Sequence, residues 1–154
     1  MHTITASLIL GLSLLNRINA QGGVGVIGNG WTVSDPLGCY SGGLPFNELH
    51  GDSADDLHEE VVGDINTTCS LVDGTLLEPV QEWSYCSEWA TQDGGVNSIQ
   101  WVVANTGHGA DDRTIYWAEC NAAFNTELGG CSTGSEQIHG DWWYRIDPQS
   151  GPCP

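Results

Sequence analysis

The chain has 154 residues and carries 20 acidic side chains against three basic ones, a net charge of −17. Such a surface repels a phosphate backbone and an anionic lipid headgroup, which argues against nucleic acid and anionic membranes as partners. The length suits one small domain whose limited core gains from cross-links, and the excess carboxylate by itself favours solubility.

The chain opens "MHTITASLILGLSLLNRINAQGG", with an apolar run over 8–15 and small residues up to Ala20. That run is too short to cross a bilayer. Residues 1–20 are therefore expected to be a secretory signal peptide, and the protein to be extracellular. Cleavage after Ala20 removes Arg17, leaves Arg113 and Arg145 as the basic residues, and takes the net charge from −17 to −18. No later segment approaches a membrane-spanning length, so no membrane insertion is expected.

All six cysteines follow residue 20: Cys39, Cys69, Cys86, Cys120, Cys131 and Cys153. An even number in an exported chain implies three disulfides, and the pairing stays open at this point. No CxxC pair occurs, so neither a metal nor another cofactor is expected.

Residues 21–38, "QGGVGVIGNGWTVSDPLG", form a glycine-rich lead-in, where Val24, Val26 and Trp31 have the means to add an edge strand. Residues 39–154 then form the single domain. The turn-rich "YSGGLPFNELHGD" leads into a helix over 53–70. Ser53 is placed to cap it, and Asp55 and Asp56 suit the positive end of its dipole. Leu57, Val61, Ile65 and Cys69 recur every four residues as one apolar stripe. "DGT" at 73–75 ends it.

From Val80 the period becomes two. Gln81, Trp83, Tyr85 and Trp89 alternate with Glu82, Ser84, Cys86 and Glu88, which predicts a strand with its aromatics inward. "TQDGG" at 91–95 is a turn, and "VNSIQWVVAN" over 96–105 returns as the second arm of a hairpin. A second helix is expected over 113–128, capped by Asp111 or Asp112. Its stripe is Ile115, Trp117, Cys120, Phe124 and Leu128, and Gly129 and Gly130 end it. "GDWWYRIDPQSGPC" over 140–153 supplies the last strand. Helix, strands, helix, strand make an α+β domain: an antiparallel sheet packed with two helices, an α/β sandwich stapled by three disulfides. Both helices carry a core-facing cysteine, so at least one disulfide is expected to tie a helix to its neighbour.

The frame "CYSGG" at 39–43, "YC" at 85–86, the "IQWVV" strand, "LGGC" at 128–131 and the ending "WWYRIDPQSGPC" resembles small secreted fungal glycan-binding proteins of the Y-three-like type, named after a mushroom lectin. The resemblance spans about residues 36–153. Its most specific parts are the SGG after the first cysteine and the pattern W-x-[YF]-x-x-DP-x-x-G-x-C at the end. It implies a compact α/β sandwich, an extracellular location and carbohydrate binding, and carries over no site residue. Gln149 stands where that family often has Asn. Killer-toxin-like sandwiches of fungi share the size and cysteine content.

In an extended last strand, Trp142, Tyr144 and Ile146 share one face and Trp143, Arg145 and Asp147 the other. The first set suits the core. The second combines an aromatic plane, a guanidinium and a carboxylate, which suits the apolar C–H face and the hydroxyls of a sugar. Trp143, Arg145 and Asp147, extended by Gln100 and Ser98, are thus the candidate glycan-binding residues. The plainer alternative covers Trp143 with a helix or the 21–38 segment and pairs Arg145 with a carboxylate.

Clustered acids and histidines at His50, Asp52, Asp55, Asp56, His58, Glu59 and Glu60 lack a calcium-loop pattern and suit a solvated helix start, as does "HGADD" at 108–112. Asn66, Thr67 and Thr68 form a glycosylation sequon. With 20 acids, a matched carboxylate pair for hydrolysis has no specificity, and no G-x-S-x-G motif occurs. His139 and Arg145 lie in one segment, but the anionic surface opposes RNA capture. The expectation is a secreted protein that binds carbohydrate or glycoprotein glycans without acting as an enzyme. The alternatives are an effector or toxin-like protein acting on a protein or membrane partner, and a small hydrolase.

Overall fold

A computed structural model describes residues 23–26, 38–51 and 57–154, the first of these as backbone. In chain order the elements are β1 (Gly23–Val26), β2 (Gly38–Cys39), α1 (His58–Val72), β3 (Leu76–Leu77), β4 (Gln81–Ala90), β5 (Val96–Asn105), β6 (Arg113–Thr114), α2 (Trp117–Gly130), β7 (Ser135–His139) and β8 (Trp142–Ser150). Six strands form one antiparallel sheet in the order β1-β4-β5-β8-β7-β2, while β3 and β6 pair separately. The fold is α+β with three disulfides, Cys39–Cys131, Cys69–Cys120 and Cys86–Cys153.

The expected hairpin is present as β4 and β5, with Trp83 opposite Val103, Tyr85 opposite Trp101 and Ser87 opposite Ile99. β8 joins the far side of β5, with Trp101 opposite Ile146 and Val103 opposite Tyr144. These residues share one face with Trp89 and Trp142, and that face carries the main core together with α1 and α2. The α1 stripe of Leu57, Val61, Ile65 and Cys69 is buried and continues to Val72. Backbone pairing of β1 with β4 puts Val24 and Val26 in an edge strand. Trp31 lies outside the described residues.

Both helix starts differ from the expected ones. α1 begins at His58, with Leu57 in the cap position and no side-chain cap bond. Ser53, Asp55 and Asp56 lie outside the described residues. α2 begins at Trp117 rather than 113, and neither Asp111 nor Asp112 caps it. The segment before it is spent on a strand: Leu76 lies opposite Thr114, and the Ile115 N–H donates to the Thr75 carbonyl at 3.0 Å. The first N–H of α2, on Trp117, donates instead to Asp73 Oδ1 at 2.8 Å, so the end of α1 caps the start of α2. Trp117, expected on the apolar stripe, is exposed. The buried stripe is Cys120, Ala123, Phe124, Glu127 and Leu128.

The bridge Cys69–Cys120 ties α1 to α2, as expected for cysteines on both stripes. Cys39–Cys131 ties β2 to the residue after α2, and Cys86–Cys153 ties the last residues to β4. Gly134, before β7, has φ +91°, and a β-carbon there would meet the Ile146 carbonyl oxygen at 2.5 Å. Only glycine lets the chain pass so close to β8.

A buried polar chain crosses the layers. The Trp101 indole N–H donates to Ser87 Oγ at 3.0 Å, and the Ser87 hydroxyl donates to Asp64 Oδ2 at 2.5 Å. Replacing Ser87 by Ala removes one bond from each of two buried partners. The expected loss is about 1–3 kcal/mol of unfolding free energy, read as a lower denaturant midpoint with an unchanged slope.

Candidate functional site

The candidate glycan residues do gather on one face of the sheet, the one turned away from the helices. Gln100 lies opposite Asp147, Val102 opposite Arg145, and Ala104 opposite Trp143. β7 adds Glu136 opposite Arg145 and Ile138 opposite Trp143. An open indole is nevertheless absent. Trp143 packs with Val102, Ala104 and Ile138 in a small second core and keeps 8% of its surface exposed. Ser98, expected to extend that surface, is also buried.

The polar members are largely occupied with one another. Arg145 pairs with Asp147, and Gln149 Nε2 donates to the same carboxylate oxygen at 2.9 Å. The Tyr40 phenol lies near the same guanidinium. Burial of that phenol pushes its pKa up to about 12, against the opposing pull of the Arg145 charge. Gln100 sits in a separate hollow of about 380 Å³ with Ser84, Cys86, Glu88, Cys153 and Pro154. Glu88 Oε1 there accepts the Cys153 N–H at 3.1 Å.

A second hollow, of about 250 Å³, lies where α2 meets β7 and β8. Its walls are Glu119, Ala122, Ala123 and Thr126 from α2, and His139, Trp142 and Tyr144 from the strands. Helical spacing puts 119, 122–123 and 126 on one edge of α2, and strand alternation puts 142 and 144 on the helix-facing side of β8. The two alanines leave the space that larger side chains would fill.

Behind this hollow lies Glu127, a carboxylate with no exposed surface. Its Oε1 meets His139 Nε2 at 2.5 Å and its Oε2 accepts from Gln137 Nε2 at 2.9 Å. A buried carboxylate needs such donors, because desolvation otherwise costs several kcal/mol. The contact commits Nε2 of the imidazole to Glu127 and leaves Nδ1 without a bond among the described residues. The imidazole also meets the Tyr144 ring edge-on at 5.8 Å.

Tyr144 is 1% exposed, and its hydroxyl makes no hydrogen bond within the described residues. Burial first, and the Glu119 carboxylate second, raise its pKa above the usual phenol range, so the group is a neutral donor at any ordinary pH. Glu119 has no ion-pair partner among the described residues.

Glu127, Glu119 and Tyr144 were not among the residues the sequence singled out for binding. The available signal was a charged residue at 127, on the stripe of Cys120, Phe124 and Leu128, with two polar residues at strand spacing at 137 and 139. The acidic cluster near α1 gathers no metal site: no group of three or more ligating side chains forms among the described residues. His50 bonds the Ala90 carbonyl at 2.7 Å and Glu60 at 3.3 Å, while Asp52, Asp55 and Asp56 lie outside the described residues. Asn66 is exposed on α1, and its Oδ1 accepts from Asn121 Nδ2 of α2 at 2.8 Å.

No protein-family model matches the chain, and no curated protein matches it.

His139→Ala should strand the Glu127 carboxylate with Gln137 as its one remaining partner here. The expected loss is about 3 kcal/mol or more, measured by denaturant unfolding, and Glu127→Gln should cost less. A separate effect belongs to Tyr40. Its folded pKa, about 12, lies above the usual phenol value of 10.0. The stability it contributes is therefore intact below about pH 10 and is lost as pH rises through about 12. A pH series of unfolding free energies should show this alkaline decline, and Tyr40→Phe should flatten it.

Proposed function

We propose that this is an extracellular protein that binds carbohydrate without catalysis, with its sugar contact in the hollow between α2 and the β7–β8 pair. The observation that carries this reading is the Tyr144 hydroxyl: a phenol on a side chain 1% exposed, lining a hollow, with no hydrogen bond among the described residues. That hydroxyl is free to donate to a ligand oxygen. Around it stand the groups a sugar ring uses. His139 Nδ1 offers a second polar atom and Glu119 an acceptor for hydroxyls, while Trp142, 6% exposed, backs the hollow.

Three further points support the reading. Three disulfides in so small a domain fit an oxidising, exported setting. No helix among the described residues is long and apolar enough to cross a membrane. The cysteine frame and the ending at 142–153 resemble the Y-three-like glycan-binding family. Binding is favoured over glycoside hydrolysis because that reaction uses two carboxylates flanking the bond. Of the two near this hollow, Glu127 is wholly buried and already twice hydrogen-bonded.

The effector reading draws on a different surface. Leu71, Leu76, Tyr116 and Trp117 are exposed where the end of α1 and β3 meet the start of α2, a patch suited to a protein partner.

Tyr144→Phe tests the carbohydrate site with little risk to the fold, since the lost hydroxyl has no internal partner. Intrinsic tryptophan fluorescence, titrated with glycans that score on an array, should show affinity reduced about five- to tenfold in the variant. Unchanged affinity puts the site elsewhere, and an array with no bound glycan removes the carbohydrate reading.

A further inference from the structure

We propose that Asn66 is an N-glycosylation site whose acceptor is open only while α1 is unfolded, so that docking of α1 on α2 closes it with the sugar already in place. This rests on the export of the chain, as in the reading above, and on nothing in the hollow between α2 and β8.

The sequon Asn66-Thr67-Thr68 lies inside α1 rather than in the surface loop that usually carries one. Transfer reads the Asn66 amide and the Thr68 hydroxyl together. On an extended chain, residues two apart point to the same side. On a helix they stand roughly 200° apart. The structure shows that separation. Asn66 is exposed, whereas Thr68 has no exposed surface. Thr68 Oγ1 is buried with no hydrogen-bond partner among the described residues, so this hydroxyl does nothing for the folded helix. The next residue, Cys69, is bonded to Cys120, and both are wholly buried. That bridge holds this turn of α1 against α2 and keeps Thr68 covered.

The folded state accepts the product although it blocks the reaction. In the transfer, Asn66 Nδ2 attacks the anomeric carbon of an oligosaccharide activated as a lipid diphosphate. The bond from that carbon to the diphosphate oxygen breaks, the lipid diphosphate leaves with the electron pair, and one amide proton passes to a base. In the folded chain Asn66 Oδ1 accepts from Asn121 Nδ2 at 2.8 Å, while Asn66 Nδ2 has no partner among the described residues. A sugar on Nδ2 therefore costs no hydrogen bond and extends into solvent. Helical spacing puts Asn121 on the opposite side of α2 from Glu119, Ala123 and Thr126, so the sugar stands clear of the hollow.

Two measurements test this. In the first, the full chain and its Asn66→Gln and Thr68→Val variants are produced in a eukaryotic secreting cell. Proteins from the medium are weighed before and after an amidase that removes N-glycans and converts the carrying Asn to Asp. The unsubstituted chain should lose the mass of one glycan, marked at residue 66, and both variants should lose none. Thr68→Val should keep its denaturant midpoint, which makes the missing sugar a loss of recognition rather than of folding. A secreted chain without sugar, or a sugar that survives either substitution, overturns the assignment alone. A chain that is not exported overturns it together with the extracellular reading. In the second, a purified oligosaccharide transferase and its lipid-diphosphate donor act on the full chain made without sugar, either oxidised and folded or reduced and alkylated. Transfer to the folded chain should be slower by a factor of about a hundred or more, because only the rare opened form is an acceptor. Equal rates overturn the closing of the acceptor by folding, and no transfer to either form overturns the site.

Discussion

One indole holds the two layers in register. Trp101 lies on β5, one of the two central strands, with no exposed surface. Its ring meets Phe124 of α2 edge-on at 5.1 Å, while its N–H reaches Ser87 of β4, which in turn donates to Asp64 of α1. A single side chain thus meets α2 and the neighbouring strand directly, and α1 through Ser87. Apolar burial alone is non-directional and tolerates sliding. The hydrogen-bonded chain does not, because a shift of either helix would leave buried polar groups unpaired. The Cys69–Cys120 bridge fixes the second degree of freedom, the spacing of α1 from α2.

The hollow follows from that registration. Phe124 also meets Tyr144 edge-on, at 5.3 Å, which fixes the roll of α2 over β8. With Phe124 locked, residues 122 and 123 fall beside Trp142 and Tyr144, and position 127 falls one turn further along against β7. Alanine at the first two makes a gap. Glutamate at the third requires donors, and β7 supplies them from Gln137 and His139. The one charged residue on the buried stripe of α2 therefore fixes the pose of the imidazole at the mouth of the hollow. Its role is orientation, since a carboxylate with no exposed surface has no access to a ligand.

Much of this architecture was legible in the sequence where periodicity was strong. The four-residue recurrence of Leu57, Val61, Ile65 and Cys69, and the alternation around Trp83, Tyr85 and Trp101, place α1 and the central hairpin within a few residues. The ends were not legible. α2 is capped by Asp73, distant in sequence, so Asp111 and Asp112 pointed to a start that tertiary contact moved to Trp117. β7 reads "SEQIH", without apolar alternation, because its inward residues are a serine, a glutamine and a histidine facing a buried carboxylate. The same substitution of polar contact for apolar packing hid the candidate site. Tyr144 was readable as core from its alternation, yet its hydroxyl matters here, and only the fold shows that it lacks a partner. Trp143 illustrates the reverse: alternation places it on the far face of the sheet, but alternation does not say what covers that face.

The two sides of the sheet also differ in how they treat charge. On the outer face, the guanidinium of Arg145 pairs with Asp147 and lies near Tyr40 and Glu136, so charged and polar groups of neighbouring strands are drawn together there. On the helix side, Glu127 is held by His139 and Gln137, while Glu119 is exposed and has no ion-pair partner among the described residues. In a domain with 20 carboxylates most acids face water, and an unpaired one carries no information by itself.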